Sequence, residues 1–316
     1  MPPSIQLTSS SELPTLTGVT VSSESGVAVI TGASTGIGAA TARELAHRGF
    51  HVLAGVRRER DADALRADGI EPVILDITQP EHIAELTRRV DAQAGPLRAL
   101  VNNAAIQINA PVETLPLSEW RRQFEVNLFG HVAVTQALLP ALLRESGRVV
   151  NISSVGGRVA LPAYGPYAGT KFALEAVSDS LRRELAPLGV RVVVVEPGAV
   201  RTQMPDRVIA ATNQQAGTMS PEQRDRYGRL LEAVNTHAAA HLPNGRPAED
   251  AARVIAKAVT ARKPRTRYTV GRDAALITRL SRVVPDRMLD RVLAASLRPH
   301  YPEPAAAIKA ASPRRG

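Results

Sequence analysis

The chain has 316 residues, 44% of them hydrophobic, which is enough for one large α/β domain with a substantial core or for two small ones. It has no cysteine, which excludes disulfides, zinc thiolates and thiol catalysis and leaves the redox compartment unread. The net charge of +9 admits nucleic acid, a membrane surface or an anionic ligand, but the arginines are scattered among acidic residues and lack aromatic platforms, so nucleic acid is set aside.

Residues 1–25 are rich in Ser, Thr and Pro and have neither a basic n-region nor an apolar h-region. They read as a flexible leader rather than a secretory signal, with the cytoplasm as the expected location. From residue 26 strands and helices alternate. "GVAVITG" is a first strand, and "IGAATARELAHRG" a helix closing at Gly49. "HVLAGV" is a second strand, followed by a polar helix to Asp68. "EPVILDI" is a third, with a helix opening on Pro80. "LRALVNNAA" is a fourth strand, and a long helix covers roughly 118–144. "GRVVNISS" is a fifth, a helix runs from Pro166 to Leu185, and "VRVVVVEPG" is a sixth strand. No run approaches the roughly 20 apolar residues of a membrane span. Continuous apolar strands between helices predict a Rossmann-type α/β fold, a doubly wound parallel sheet in one domain over 26–272. Residues 203–245 break the rhythm and read as an insertion where such sheets bind ligands. A helix (247–262), a strand "RYTVG", a helical extension (273–298) and a flexible tail (299–316) complete the chain.

"TGASTGIG" begins at Thr31, straight after the first strand. Gly32 permits a tight turn, and Gly36 and Gly38 let a helix N-terminus approach a pyrophosphate. Its T-G-x-x-x-G-x-G spacing resembles the short-chain dehydrogenase/reductase family, and the resemblance recurs in order along about 26–202. "LDIT" resembles the family's adenine-contacting segment, "NNAA" its Asn-Asn-Ala-Gly with Ala105 in place of glycine, "VNLFG" its asparagine segment, "NISSVGG" its serine segment, "YAGTK" its Tyr-x-x-x-Lys and "PGAVRT" its Pro-Gly segment. The branch it most resembles includes 17β-hydroxysteroid and retinol dehydrogenases. The resemblance implies that the dinucleotide is held by Gly32, Ser34, Thr35, Gly36, Ile37, Gly38, Asp76, Ile77, Asn103, Ala104, Ala105, Pro197, Gly198, Val200 and Thr202, with Tyr167 and Lys171 also touching it.

Relatives that prefer NAD end the second strand on an acidic residue, which would repel a 2'-phosphate. Here Val56 stands at that position, and Arg57 and Arg58 follow. Guanidinium groups bind phosphate bidentately, so NADP(H) is expected, with NAD(H) as the alternative.

Tyr167 and Lys171 are four apart and share a helix face, whereas Pro166 places Tyr164 in the preceding loop. The family pattern makes Tyr167 the catalytic acid/base, Ser154 the residue that orients the reacting oxygen, and Asn127 the anchor of a water behind Lys171. The Lys171 ammonium and an oxidised nicotinamide nearby are both expected to favour the phenolate and lower the tyrosine pKa from about 10. No metal is expected, because the seven histidines lack paired ligand spacing; His131 reads as a packing residue and Trp120 as a core or interface anchor.

The implied substrate is a hydrophobic alcohol or ketone, a hydroxysteroid first, with Leu161, Pro162, Tyr164 and Met204 as walls beside Ser154 and Tyr167. A ketoreductase of acyl thioesters and a non-catalytic NADP(H) sensor are the alternatives. The resemblance also implies a homodimer or homotetramer through 118–144 and 166–186. Residues 274–298 carry apolar positions at helical spacing with arginines interleaved. Packing on the core or on a subunit is the first reading, and contact with an anionic membrane the second.

Overall fold

The computed structural model describes residues 26–281 and 283–302. The leader (1–25), Arg282 and most of the expected tail (303–316) lie outside the described residues.

Seven strands form one parallel sheet. In chain order they are β1 (Val27–Ile30), β2 (His51–Val56), β3 (Ile70–Ile74), β4 (Leu97–Asn102), β5 (Arg148–Ile152), β6 (Arg191–Pro197) and, skipping a two-residue ladder, β9 (Arg267–Val270). Their spatial order is β3-β2-β1-β4-β5-β6-β9. The order reverses between β1 and β4, which opens a crevice at their carboxyl ends. The ladder pairs β7 (Val200–Arg201) with β8 (Arg246–Pro247).

Helices cover both faces. α1 (Gly36–His47), α2 (Glu59–Leu65) and α9 (Ala248–Thr260) pack on one side, where Ala28 and Ile30 of β1 meet Ala42, Leu45 and Ile255. α3 (Pro80–Asp91), α5 (Gly130–Arg144) and α6 (Gly165–Leu185) pack on the other, where Val27 and Val29 meet Leu86, Leu138 and Leu142. Alternate residues of β1 therefore enter opposite cores, which is why the strand is apolar throughout instead of alternating.

The helix expected over 118–144 is α4 (Leu117–Phe124), a π turn (Glu125–Phe129) and α5 in unbroken succession. By length and composition this rod could cross a membrane, with a mean hydropathy of 1.5 in its most apolar stretch. That differs from the expectation of no such run. Val134, Leu138 and Leu142 are fully buried against the sheet, so α5 is a core helix.

The irregular insertion expected over 203–245 is a pair of helices, α7 (Met204–Gly217) and α8 (Pro221–His241). Ser220 and Gln223 form a reciprocal capping box ahead of Pro221, a start signal hidden in the polar "SPEQ". The C-terminal extension is α10 (Arg272–Leu280) and α11 (Asp286–Leu297), followed by a short turn through His300.

Candidate active site

The glycine loop is shaped first by the chain itself. Gly32 and Gly36 have φ of 66° and 58°, the left-handed region that favours glycine. A Cβ on Gly32 would stand 2.7 Å from Ala104 Cα, and one on Gly36 3.0 Å from Thr202 Cγ2. Gly38 also needs to be glycine for packing within the chain. A Cβ there would meet the Gly32 carbonyl at 2.4 Å and Asn103 Nδ2 at 2.6 Å. Asn103 likewise serves the loop: its Nδ2 donates to the Thr31 and Gly32 carbonyls at 3.0 and 2.9 Å. Buried Thr31, which the motif reading passed over, accepts from the Asn103 and Ala104 N–H groups through Oγ1. His131 packs under this turn, with its Nε2 2.7 Å from the Ala104 carbonyl.

The loop leads into α1 with no acidic residue in its first turn and no side-chain cap from Thr35. Ser34, Thr35 and Ile37 line this entry, and the uncapped N–H groups there suit an anionic group. At the end of β2, Arg57 is exposed and makes no hydrogen bond or ion pair among the described residues. Arg58 differs from expectation: its guanidinium is held by Asp61 at 2.7 and 3.1 Å, one turn along at the start of α2. Of the two, Arg57 is the one whose guanidinium is not held by a carboxylate among the described residues. After β3, burial pushes the Asp76 carboxyl up, but the Thr78 N–H and hydroxyl, then the Arg57 charge, outweigh it and hold the group below its usual range. The Ile77 side chain is buried in the core and meets Gly130, so only its backbone faces the crevice side. Pro197 ends β6; Gly198 bonds to the Val270 carbonyl and makes room for Ala274; Val200 is buried. Thr202 Oγ1 accepts from Met204 N–H at the start of α7. A Gly-opened helix N-terminus, an ionised Asp76 and an unpaired Arg57 at one crevice fit a dinucleotide.

Across the crevice stand Ser154, Tyr167 and Lys171. Ser154 follows β5, and its Oγ accepts from Gly156 N–H at 3.0 Å. A Cβ on Gly156 would lie 3.3 Å from Tyr167 Cε1 and 3.4 Å from Ser154 Oγ, so this glycine sits where serine and tyrosine converge. Lys171 is one turn along α6 from Tyr167, with Nζ 5.8 Å from the phenol ring centroid. It donates to the Ile152 carbonyl at 2.9 Å. Both side chains are buried.

That burial governs the ionisation of both groups in the chain alone. The Tyr167 phenol is pushed up to about 12 by burial, against the Ser154 hydroxyl and with a small push from Tyr164. Lys171 is pushed down to about 8 by burial, with Glu175 opposing. Desolvation disfavours charge of either sign, which moves the two groups in opposite directions. Tyr167 is thus protonated at neutral pH.

Asn127 lies in the π turn and clamps the loop after β4. Ile106 N–H donates to its Oδ1 at 2.9 Å, and its Nδ2 donates to the Ile106 carbonyl at 2.8 Å and to Thr170 Oγ1 at 3.1 Å. Both amide hydrogens are committed to the chain, which leaves the Oδ1 lone pair for the expected water. Gln123, one turn earlier, holds Ile108 in the same way and was not singled out from sequence.

Tyr164 is the residue before α6, as Pro166 required, and it is half-buried beside Asn109. Leu161 is half-buried, Pro162 exposed, and Met204 opens α7 half-buried. A cavity of about 620 Å³ lies between α7 and α8, lined by residues such as Ile209, Met219 and Leu231 and by none of the predicted walls. Trp120 packs with Ile108, Ala110 and Leu115. The histidines are less dispersed than the sequence suggested: the His237 ring lies 4.2 Å from His241 and 5.1 Å from His300 between centroids. Among the described residues no group of three metal-ligating side chains is arranged to hold a metal ion.

A doubly wound sheet with a glycine loop at its switch point, facing a half-buried serine and a buried Tyr–Lys pair, defines a nicotinamide-dependent oxidoreductase of alcohols and carbonyls. The model of the short chain dehydrogenase family matches residues 26–213, and the chain belongs to that family. It is 37% identical to retinol dehydrogenase 5 of Mus musculus over 84% of this chain and 86% of that protein. It is 32% identical to the NADPH-dependent 3-dehydrocapnine reductase of Ornithobacterium rhinotracheale over 84% and 95%. Among solved structures, a short chain dehydrogenase from Burkholderia cenocepacia in complex with NADP superposes with a TM-score of 0.67 at 26% identity, covering 86% of this chain and 98% of that one.

Proposed function

We propose that the protein interconverts a secondary alcohol and a ketone on a hydrophobic substrate, a hydroxysteroid first, with NADP(H). The observation that carries the reading is the protonated, buried Tyr167 beside the Ser154 hydroxyl with Lys171 one turn behind. When bound, the nicotinamide supplies or accepts the hydride. Ser154 orients the reacting oxygen by a hydrogen bond. Tyr167 gives its proton to that oxygen in reduction and takes it back in oxidation. Lys171, anchored on the Ile152 carbonyl, holds a positive charge behind the phenol.

Arg57 supports the choice of NADP(H), because an unpaired guanidinium at the end of β2 suits a 2'-phosphate. Exposed Phe129, Phe172 and Val177 on the π turn and α6 support a homo-oligomer through these helices. The test is reduced-nicotinamide absorbance with NADPH or NADH and steroid ketones, retinal, simple ketones and a β-ketoacyl thioester, and the matching alcohols with NADP or NAD. Turnover of steroid ketones with NADPH supports the reading. Turnover of the thioester alone moves the enzyme to acyl substrates, and tight NADPH binding without any turnover supports a sensor.

A further inference from the structure

α10 and α11 leave several large apolar side chains exposed. Among its described side chains α10 buries Ala274 and Thr278, four apart, with Ala274 packed against Gly198. Its opposite side presents Leu276 at 58% exposure, Ile277 at 39% and Leu280 at 43%, and Val283 in the following turn stands at 77%. α11 buries Leu297 and presents Met288 at 54% and Val292 at 60%. On α10 the packing on the core is made by small residues, on α11 by Leu297 with Leu289 and Leu293 half-buried, and the other large apolar side chains are left to water. Single exposed apolar residues are ordinary, but a helix whose apolar arc points outward marks a contact surface.

The charges beside these arcs say which contact. At 100° per residue, Arg272 and Arg279 border the apolar arc of α10, and Arg287 and Arg291 border that of α11. All four are exposed, and among the described residues none forms an ion pair. Exposed apolar side chains flanked by long cationic stems are the arrangement of helices that lie in a lipid headgroup region, with the stems reaching the phosphates. Over 272–291 five arginines stand against three aspartates, Asp273, Asp286 and Asp290, so a second copy of the same face would bring an excess of positive charge together. We propose that the arginine-edged face of α10 and α11 docks on the surface of an anionic lipid bilayer.

The experiment is co-sedimentation of the full chain with vesicles of phosphatidylcholine alone and of phosphatidylcholine mixed with phosphatidylglycerol. The expected result is at least ~10-fold tighter binding to the anionic vesicles, weakened by salt. Leu280→Asp with Val283→Asp should abolish it, and Arg287→Glu with Arg291→Glu should lose the preference for anionic lipid. All four positions are exposed, so thermal melts and NADPH binding should match the parent chain. The proposal is overturned if the parent chain stays in the supernatant with both vesicles. It is equally overturned if the aspartate variant sediments as the parent does, or if light scattering shows that variant dissociating an oligomer while vesicle binding is unchanged. Vesicle binding is read without turnover, so it stands or falls separately from the substrate assignment.

Discussion

Replacing Glu175 by Gln keeps the shape of a buried side chain and deletes one charge from a cluster that ties the site together. Glu175 follows Lys171 by one turn of α6. Its Oε2 lies 3.1 Å from Arg158 of the segment after Ser154 and 3.1 Å from Arg267 of β9. Arg158 also pairs with Glu196 at 2.8 Å, next to Pro197, and Arg267 with Asp179 at 2.8 Å. Removing one partner of a buried ion pair costs about 3–5 kcal/mol, and the partial exposure of both arginines points to the lower end. At roughly 2 °C per kcal/mol for a chain of this size, the melting temperature should fall by about 6 °C. The second effect falls on Lys171, whose charge Glu175 supports against burial. For an i, i+4 separation of about 6 Å and an effective dielectric of about 20, Coulomb's law gives about 2–3 kcal/mol, or about 2 pKa units. Compensation by the two arginines reduces this to roughly one unit. Lys171 is protonated below about 8 in the parent chain. The alkaline limb of ketone reduction should therefore move to lower pH in Glu175→Gln, read from kcat against pH alongside a thermal melt. An unchanged limb with a melting temperature within ~1 °C of the parent would refute the cluster's role, since both effects rest on one buried charge.

Two further outcomes follow from single side chains. Arg57→Ala should weaken NADPH binding about 10- to 100-fold, as loss of a charge-assisted bond to phosphate does, and leave NADH nearly unchanged; fluorescence titration checks this, and equal losses would remove the 2'-phosphate assignment. His131 is buried and pushed down to about 3 by burial, with the Lys171 charge adding to it. The unfolded chain therefore binds its proton first as pH falls through about 6.5, and stability is lost from there downward. Between about pH 7 and 4.5 that amounts to on the order of 2–3 kcal/mol. Urea melts of His131→Gln should show a shallower loss over that interval, and a loss as steep as the parent's would place the acid sensitivity elsewhere.

The central strands were legible because they are buried on both faces and so read as short continuous apolar runs between helical stretches. The Ser154, Tyr167 and Lys171 set was legible because its spacing is local: a turn of α6 joins two members, and a single strand end delivers the third. Tyr164 was placed correctly by Pro166 alone. What the sequence hid was long-range. Asn103 and Gly38 resemble cofactor ligands in a motif, yet they meet each other across β1 and β4. Arg58 looked like a second phosphate ligand, but Asp61 lies one turn ahead on a helix start that only the fold defines. The pKa of Tyr167 depends on burial as much as on its neighbour, and spacing does not report burial. The α7–α8 pair was masked by a polar composition, although Ser220, Pro221 and Gln223 together carried its start signal. His237, His241 and His300 meet only because the chain's end returns to α8.

The most direct measurement compares ketone reduction by the parent chain and by Tyr167→Phe, with NADPH affinity determined for both. Loss of the proton donor should lower turnover by about 10²- to 10⁴-fold while NADPH affinity stays within about threefold. Turnover that survives the substitution would contradict the account, because the proton would then come from a group other than Tyr167.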